Sequence, residues 1–371
     1  MKLQKNAVSV YLFAKLMKFT LWLQSIANKL TPAPFRLIQI GSAFWQSRAL
    51  YVATRLNIAT LLGDGQLTSE SIAKQVSAQP EAIYRLLRLL AAIGIFEEVS
   101  PHVFKNNNLS AYLRDDHTKN VRAMILMHNS MEMSQPWYEP LEQGIRSDNV
   151  PFELAHGQEL YTYMDGHAEF DTLFSLAMDN IEALAGNSFV TDFNWGQFGR
   201  IIDMGGSKGC KSLAILKQYP HLTAQVFDRD QIIKTAATFW IGKESTELLS
   251  RISYQAGDLL EAIPAAKSDK DIYLLSAVLH SLADQDCIKI LGNLAAAIAD
   301  TGAHIALMEL VVPEFKADMS SAAFDMQMFM ATRGKERTLA EWQSLFDQAG
   351  LMFEELVQLR PIGNILVLRQ R

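Results

Sequence analysis

Cysteine is scarce in this chain, and its scarcity excludes two kinds of stabilising site. Among 371 residues there are two cysteines, Cys210 and Cys287, and they form no CxxC pair. A disulfide scaffold needs a dense set of cysteines, and a structural zinc site needs Cys and His ligands at short, regular spacings. We therefore expect no bound metal, and the two unpaired thiols favour a reducing, cytoplasmic location.

Acidic residues are absent from the stretch before Asp64, which holds eight Lys and Arg residues. The formal net charge of the chain is −6, so the remainder carries −14 once these eight charges are removed. An acidic remainder argues against a protein that coats nucleic acid. Lysines also interrupt the apolar N-terminal run, so we expect neither a secretory signal peptide nor the roughly 18 uncharged apolar residues of a membrane span.

Residues 1–40 predict a basic arm whose amphipathic helix spans 7–30. A narrow polar stripe recurs at helical spacing, at Lys15, Lys18, Ser25 and Lys29. The rest of the helix surface is apolar, at Leu12, Phe13, Leu16, Phe19, Leu23 and Ile26. Such a wide apolar face must be covered, and we expect a partner subunit or the chain's own core to cover it. Contact of the arm with a membrane surface is the less favoured alternative.

Residues 41–116 predict a winged helix. Thr68 is suited to cap a first helix, Pro80 to the first turn of a second, and Gly94 to its end. The next segment, EEVSPHVFKNN, is typical of a two-stranded wing. The inward face of the second helix is apolar at Ile83, Leu86, Leu87 and Leu90. Only Arg85 and Arg88 would then meet phosphates, so we favour dimerisation over DNA binding.

Residues 117–185 predict a helical segment rich in methionine and aromatic residues. Such residues at helical spacing are usually core, but adaptable methionine surfaces also suit bulky aromatic or polyene ligands. We expect Phe174 and Met178 to line a pocket for a small-molecule acceptor. With the arm and the winged helix, this segment completes a helical N-terminal domain over 1–185.

Residues 186–371 predict a second domain in which strands and helices alternate. Apolar strand candidates are RIIDM (200–204), TAQVF (223–227), IYLLSAV (272–278) and HIALMELVV (304–312). Such alternation predicts an α/β fold with a doubly wound, mostly parallel sheet of the Rossmann-like kind. FEELVQLR and NILVLRQ flank Pro361-Ile362-Gly363, which predicts an antiparallel hairpin at the sheet edge.

The first strand of this domain ends in the glycine-rich segment 203–209, which reads DMGGSKG. Ligands of open α/β sheets bind beyond the carboxyl ends of the strands, where glycines allow close backbone approach. The dinucleotide pattern GxGxxG is absent, which disfavours NAD. The run 205–212 departs from a Walker A motif because Cys210 stands where glycine should precede Lys211. S-adenosylmethionine is the third candidate cofactor for this turn.

Two carboxylates follow the next strands at spacings that suit S-adenosylmethionine. Asp228 ends the second strand, where a carboxylate can accept hydrogen bonds from the ribose diol. A carboxylate at this place fits NAD equally well, so the glycine spacing decides between NAD and S-adenosylmethionine. Asp258, after the third strand, can accept from the adenine amino group or can act as a helix N-cap.

Ordered segments across the chain carry a resemblance to a known family. They are SRALYVATRLNIATLL, IYRLLRLLAAIGIFEE, PFELAHGQELYTYM, FSLAM, IIDMGGSKG, LLSAVLHSLADQDCIKIL and GKERTLAEWQSLFDQAG. From about residue 40 to the C-terminus the chain resembles the S-adenosylmethionine-dependent small-molecule O-methyltransferases, which include the caffeate, acetylserotonin and hydroxyneurosporene enzymes. The resemblance implies a homodimer intertwined through N-terminal helices, with a winged helix that serves dimerisation and no nucleic-acid partner.

The resemblance also implies roles for individual residues. His280 in VLHSL matches the family's general base, and Glu309 in ALMEL and Glu336 in GKERT match its flanking acids. An imidazole of ordinary pKa about 6.5 can take the proton of a phenol as its oxygen attacks a sulfonium methyl. Glu309 is expected to orient the ring and stabilise the imidazolium. Cofactor-binding residues are expected at Gly205, Gly206, Asp228, Asp258, Leu259 and Ser276, and Met328 is expected beside the acceptor.

The chain departs from the family pattern at four places. Ser207 replaces the middle glycine of GGGxG, which suits a serine if that position takes an ordinary φ. The segment after the second strand reads Asp-Arg-Asp (228–230) instead of Asp-Leu-Pro, and Ser276 stands where plant members often have Lys. The usual His-Asp-Trp is His-Ser-Leu over 280–282.

We expect an S-adenosylmethionine-dependent methyltransferase that modifies a hydroxyl of a hydrophobic aromatic or polyene secondary metabolite. Some members of the resembled family bind the same cofactor but catalyse hydroxylation, decarboxylation or pericyclic steps, and such a reaction is the first alternative. The second alternative is a winged-helix regulator that senses a ligand.

Overall fold

The computed structural model describes residues 2–360 and 363–371, which form two compact units. One unit spans 19–186 and is mainly helical. The other spans 187–371 and includes the first residues up to Lys18. Leu3 is fully buried in the core of this second unit, and the backbone N–H of Lys5 donates to the carbonyl of Asp192 at 2.7 Å.

Helices dominate the N-terminal half. In chain order they are α1 (Ala7–Leu30), α2 (Ala33–Gly41), α3 (Ala43–Arg55), α4 (Ile58–Leu62), α5 (Ser69–Gln75), α6 (Pro80–Ala92), α7 (Arg122–His128), α8 (Met131–Ser134), α9 (Glu139–Ser147), α10 (Pro151–His156), α11 (Leu160–Gly166) and α12 (Ala168–Ala185). A small antiparallel sheet is built from β1 (Gln66–Thr68), β2 (Phe96–Ser100) and β3 (Val103–Asn106), in the order β1-β3-β2.

The winged-helix part follows the predicted pattern closely. The Thr68 side chain caps α5 by accepting the backbone N–H of Ser71 at 3.1 Å. Ile83, Leu87 and Leu90 on α6 are buried in the core of this unit. The wing contains β2 and β3 as expected, and β1 adds a third strand that the sequence pattern did not predict.

The C-terminal half contains a seven-stranded sheet with helices on both faces. Its strands are β4 (Arg200–Met204), β5 (Thr223–Asp228), β6 (Ile252–Ala256), β7 (Asp271–Ser276), β8 (His304–Glu309), β11 (Leu351–Gln358) and β12 (Asn364–Gln370). Two short strands, β9 (Val311–Val312) and β10 (Arg337–Thr338), pair with each other in parallel. The helices are α13 (Ser188–Asp192), α14 (Cys210–Gln218), α15 (Asp230–Phe239), α16 (Thr246–Leu249), α17 (Asp284–Ala297), α18 (Met319–Ala331) and α19 (Leu339–Gln348).

The strand order is β11-β12-β8-β7-β4-β5-β6, with β4 to β8 parallel and β12 antiparallel to both of its neighbours. This arrangement confirms the predicted α/β fold with a mostly parallel sheet and a C-terminal hairpin. The predicted hairpin turn falls on Pro361 and Ile362, which lie outside the described residues.

Two of the predicted strands are shorter than expected. IYLLSAV was expected to be extended to 278, but β7 ends at Ser276 because Ala277 turns the backbone with φ +53°. HIALMELVV was expected to be one strand, but β8 ends at Glu309 and Val311–Val312 pairs with β10 instead. Both changes lie at the carboxyl edge of the sheet.

Alternate residues of the central strands feed two separate cores, because successive side chains of a strand point to opposite faces. One core receives Ile201, Ile272 and Leu274, and the other receives Ile202, Met204, Tyr273 and Leu275. This two-sided burial explains why these strands have continuous apolar runs. No helix in the described parts of the chain is long and apolar enough to cross a membrane.

A buried ion pair ties β4 to β7 at the amino edge of the sheet. Arg200 donates from Nε and Nη2 to the Asp271 carboxylate at 3.1 and 2.5 Å. The side chains are 16% and 4% exposed, respectively. The backbone N–H of Lys267 also donates to Asp271, at 2.6 Å.

Loss of this carboxylate should destabilise the sheet unit. Asp271→Ala leaves the Arg200 guanidinium largely buried without its counter-ion, so we expect the free energy of unfolding to fall by about 3 kcal/mol. Urea unfolding followed by circular dichroism measures the change. Asp269→Ala, which removes an exposed carboxylate two positions earlier, should change stability by less than about 0.5 kcal/mol. Equal urea midpoints for the two variants would show that the ion pair does not stabilise the sheet.

Candidate active site

Four neighbouring strands bring the predicted cofactor residues to one edge of the sheet. The strands β7, β4, β5 and β6 lie side by side and are parallel, so their carboxyl ends meet. Ser276 ends β7, Gly205 follows β4, Asp228 ends β5 and Asp258 follows β6. The geometry thus places residues from distant parts of the sequence along a single edge, where open α/β sheets bind their ligands.

The glycine turn after β4 is packed too closely for side chains. Gly205 has φ +70°, and a Cβ atom there would lie 2.9 Å from Cγ2 of Val278. A Cβ atom on Gly206 would lie 2.7 Å from Oδ2 of Asp203, a buried carboxylate that accepts the Ser212 hydroxyl at 2.7 Å. The backbone N–H of Gly205 donates to the carbonyl of Phe227 at 2.8 Å, so the turn is fixed to the end of β5.

Ser207 does not meet the condition of an ordinary φ, because its φ is +52°. This left-handed conformation is unfavourable for a residue with a Cβ atom. The backbone N–H of Ser207 donates to Oδ2 of Asp228 at 2.8 Å, and Oδ1 of Asp228 accepts the N–H of Arg229 at 2.7 Å. The carboxylate expected to bind ribose thus also stabilises the strained residue of the turn.

The remaining predicted cofactor residues adjoin this turn or its neighbouring strands. Cδ1 of Leu259 lies 4.0 Å from the position of a Cβ atom on Gly205. Oδ1 of Asp258 accepts the backbone N–H of Leu260 at 2.9 Å in a turn, so Asp258 does not cap a helix. Ser276 is half-buried at the end of β7.

The segment after β7 carries His280 and begins in a strained conformation. Ala277 lies in the left-handed region, and Leu279–Ser281 form a short 3₁₀ turn. Nδ1 of His280 lies 2.7 Å from Oε1 of Glu336, a buried carboxylate. Burial of the ring opposes protonation, but the hydrogen bond with Glu336 and the charges of Glu309 and Glu336 outweigh it. The pKa of His280 is therefore raised above its ordinary value.

Glu309 contacts the segment before the histidine and not the ring itself. Its Oε1 accepts the backbone N–H groups of Val278 and Leu279 at 3.1 and 2.9 Å. The expectation that Glu309 orients the ring is corrected by this geometry, since Glu336 makes the contact with the imidazole. Burial raises the pKa of the Glu309 carboxyl, although the His280 charge opposes this shift.

Three residues were expected to line the acceptor pocket, and they lie in different units. Met328 is half-buried on α18, one turn after Phe324, whose ring stacks on His280 with centroids 6.0 Å apart. Phe174 is half-buried and Met178 exposed on α12 of the helical unit. The sequence analysis expected Met328 beside the acceptor but did not identify Phe324, whose ring stacks on His280.

The residues that replace the family's Asp-Trp after the histidine have local partners. The Ser281 hydroxyl donates to the carbonyl of Val278 at 2.9 Å, and Leu282 packs against the core. Position 281, next to His280, thus carries a hydroxyl and no carboxylate. A hydroxyl turned towards its own backbone gives an acceptor molecule no charged group to bind at this position.

Three residues that contact the segments of His280 and Glu336 were not predicted from the sequence. Asp325 accepts the backbone N–H of Glu336 at 2.9 Å, Arg337 contacts the segment around His280, and Gly334 packs against it. Arg337 and Leu279 are 58 positions apart, whereas Asp325 and Glu336 are separated by 11. Residues 334–337 begin the GKERT segment of the resemblance, which implied a role for Glu336 alone.

Two family models match the chain. The O-methyltransferase domain matches residues 137–352, and the O-methyltransferase dimerisation domain matches residues 38–116. The second match confirms that the winged-helix part belongs to a dimerisation domain, which indicates a homodimer. Phenazine-1-carboxylate N-methyltransferase of Pseudomonas aeruginosa is 32% identical over 348 residues, which are 93% of this chain and 99% of that protein. Phenazine O-methyltransferase PhzM of Lysobacter antibioticus is 29% identical over 337 residues, 88% and 96% of the two chains.

A solved structure with a bound cofactor has the same fold. An O-methyltransferase from neocarzinostatin biosynthesis, in complex with S-adenosylmethionine and 2-hydroxy-5-methyl naphthoic acid, is 25% identical with a TM-score of 0.73. The similarity covers 88% of this chain and 96% of that one. The chain therefore belongs to the O-methyltransferase family, and it is a methyltransferase that uses S-adenosylmethionine.

Proposed function

We propose that this enzyme methylates a hydroxyl group of a hydrophobic aromatic or polyene secondary metabolite, with His280 as the general base. The observation that carries the proposal is the contact between His280 and Glu336 beside the glycine turn. Val278, two residues before the base, packs against Gly205 of that turn. The relatives named above act on phenazines, and the neocarzinostatin enzyme holds a hydroxynaphthoic acid, which supports an aromatic acceptor.

The residues at the sheet edge fit S-adenosylmethionine. Asp228 offers a carboxylate to a ribose diol, and the turn at Gly205 and Gly206 lets a ligand approach the backbone closely, because neither residue carries a Cβ atom. Asp258 offers an exposed carboxylate to an amino group. When bound, the cofactor would supply a methyl group attached to a positively charged sulfur, and this sulfur is a good leaving group.

His280 is suited to take a proton through one particular nitrogen. Glu336 accepts a hydrogen bond from Nδ1, so the lone pair of the neutral ring lies on Nε2. In the proposed step the hydroxyl proton of the acceptor would pass to Nε2 as the acceptor oxygen takes the methyl group that the bound cofactor would supply. Glu336 then stabilises the imidazolium, while Glu309 holds the backbone before it. Positioning of the two reactants supplies much of the remaining rate.

We also propose that the apolar face of α1 is covered by a second copy of the chain. Exposed residues recur there at alternating spacings of four and three, at Leu12, Leu16, Phe19, Leu23, Ile26 and Leu30. This spacing is typical of a helix that pairs with another helix. The face directly precedes the dimerisation domain that begins at residue 38, so both surfaces would join one interface. The contact of the arm with a membrane is the competing outcome.

Asp228→Ala should weaken the binding of S-adenosylhomocysteine by about 10–100-fold, because a hydrogen bond to a charged group contributes about 1.5–3 kcal/mol. Isothermal titration calorimetry measures the dissociation constant. Asp230→Ala is the matched control, since it removes a nearby exposed carboxylate that pairs with Lys234. Equal affinities for the two variants, or no heat with the unaltered protein, would contradict the proposed cofactor site.

His280→Asn should lower methyl transfer by about 10²–10⁴-fold while the binding of S-adenosylhomocysteine stays unchanged. The assay uses methyl-labelled S-adenosylmethionine with an extract of the cells that make this protein, and mass spectrometry identifies the labelled product. The rate should rise with pH through a midpoint above about 6.5, because only the neutral ring accepts a proton and its pKa is raised. His221→Asn, an exposed histidine, should have no effect. Cofactor binding without any labelled product would favour a non-methylating reaction.

Leu16→Glu combined with Leu23→Glu should raise the dissociation constant of the homodimer at least about tenfold, because two apolar side chains leave the interface. Sedimentation equilibrium measures the constant. Gln24→Glu, which adds one negative charge at an exposed position off this face, is the control for the effect of charge. An unchanged dimer, together with flotation of the unaltered protein on phosphatidylserine vesicles, would replace the dimer with a membrane as the partner of the arm.

A further inference from the structure

Arg337 is fully buried, and its hydrogen bonds lead to the segment that carries His280. Nη1 donates to the carbonyl of Leu279 at 3.1 Å, and Nη2 donates to the carbonyl of Leu282 at 2.9 Å. Nε and Nη2 both donate to Oδ1 of Asp284, at 2.9 and 2.7 Å. The guanidinium thus contacts the backbone on both sides of His280.

The carbonyl of Leu279 accepts the backbone N–H of Leu282 and Sγ of Cys287, both at 3.2 Å, and Arg337 adds a charged donor to it. The strand β7 has ended, Ala277 turns the chain, and the carbonyls of Leu279 and Leu282 lie outside the ladder of the sheet. Buried carbonyls that lack hydrogen bonds destabilise a fold. A planar guanidinium can serve two carbonyls and a carboxylate together, which the single ammonium of a lysine does less well.

Gly334 makes a second contact with the same segment, backbone against backbone. A Cβ atom at this position would overlap the carbonyl oxygen of His280 and the carbonyl carbon of Ser281. The residue is buried, so a side chain at this position could not turn into solvent. Any side chain at 334 would therefore push the two segments apart.

Glu336 lies between these two contacts in the sequence. Its Oε1 contacts Nδ1 of His280 at 2.7 Å, and its backbone N–H donates to Oδ1 of Asp325 at 2.9 Å. We propose that Arg337 and Gly334 are positioning residues that hold the His280 segment at the distance where the imidazole meets Glu336. This inference rests on the proposed role of His280 as the base, and it concerns neither contact with the cofactor nor contact with the acceptor.

The titration of His280 distinguishes positioning from a simple effect of charge. Loss of the Arg337 charge by itself would raise the pKa of His280, because a nearby cation disfavours the imidazolium. Loss of the contact with Glu336 would lower this pKa, because that hydrogen bond favours the imidazolium. The two explanations therefore predict changes of opposite sign in the pKa of His280 when Arg337 is replaced.

The experiment is an NMR titration of the full-length protein, labelled at its histidine rings, between pH 5 and pH 9 (about the range in which imidazole titrates). His280→Asn identifies the resonance among the eight histidines. In Arg337→Met we expect the midpoint of His280 to fall towards the ordinary value, and in Arg337→Lys, which keeps the charge, to fall less. A rise or an unchanged midpoint in folded Arg337→Met would overturn the proposal.

Lys335→Met is the matched control for loss of charge. Lys335 lies 3.7 Å from Asp284 and 2.7 Å from Glu341, so it belongs to the same ion-pair group without contacting the backbone at 279 or 282. Its loss should leave the midpoint of His280 unchanged or slightly higher. A fall as large as that of Arg337→Met would mean that the shift arises from the ion-pair group and not from the backbone contacts.

Gly334→Ala tests the second contact without a change of charge. We expect the midpoint of His280 to fall, and kcat to fall about 100-fold with little change in KM for S-adenosylmethionine, because small displacements of a catalytic group have effects of this size. Gly292→Ala, where a Cβ atom meets no neighbour within 4 Å, is the matched control. Full activity in folded Gly334→Ala would overturn the role of this glycine.

Failure of this inference and failure of the proposed function give different results. The titration needs no acceptor, so it reports on the Arg337 and Gly334 contacts whether or not methyl transfer is observed. If Arg337→Met leaves the titration of His280 unchanged while His280→Asn abolishes methyl transfer, the proposed base stands. Only the positioning role then fails. If His280→Asn retains full methyl transfer, His280 is not the base. The titration still reports whether Arg337 affects the environment of the ring.

Discussion

The hydrogen bond between Nδ1 of His280 and Glu336 is the contact on which the proposed chemistry of this site depends. It would leave Nε2 as the proton acceptor, and it places a buried carboxylate where the imidazolium would form. Neither partner belongs to a regular element that would hold it alone. The bond exists because the sheet edge, Asp325 and the β9–β10 pairing bring two irregular segments together.

Two buried carboxylates surround the histidine, and their contacts differ. Glu336 contacts the ring, whereas Glu309 accepts two backbone N–H groups from the turn that precedes it. A carboxylate that satisfies backbone donors stabilises a strained turn, and Ala277 shows that this turn is strained. Both charges also favour the protonated ring against the effect of burial. Backbone support and proton chemistry are thus assigned to separate acids, although both acids lie close to the same histidine.

The cofactor side of the sheet follows from local rules more directly. Parallel strands end at one edge, so Gly205, Asp228 and Asp258 were expected to meet there, and they do. The periodicity of the sequence also predicted the main strands, the hairpin and the winged helix. It did not predict the ends of β7 and β8, because a turn forced by one residue and a pairing with a distant short strand leave no mark on the hydrophobic pattern. The conformation of Ser207 was missed for the same reason.

The sequence by itself determined the class of fold, the order of its domains and the residue types at the edge of the sheet, because these depend on spacing along the chain. Only the tertiary structure decided which acid contacts His280 and which residues contact the segment that carries it. Glu336 and His280 are 56 positions apart, and Arg337 reaches Leu279 across 58. Contacts at such separations depend on how strands pair and how loops pack, and no local pattern encodes the distance between two side chains that meet only after the sheet has formed.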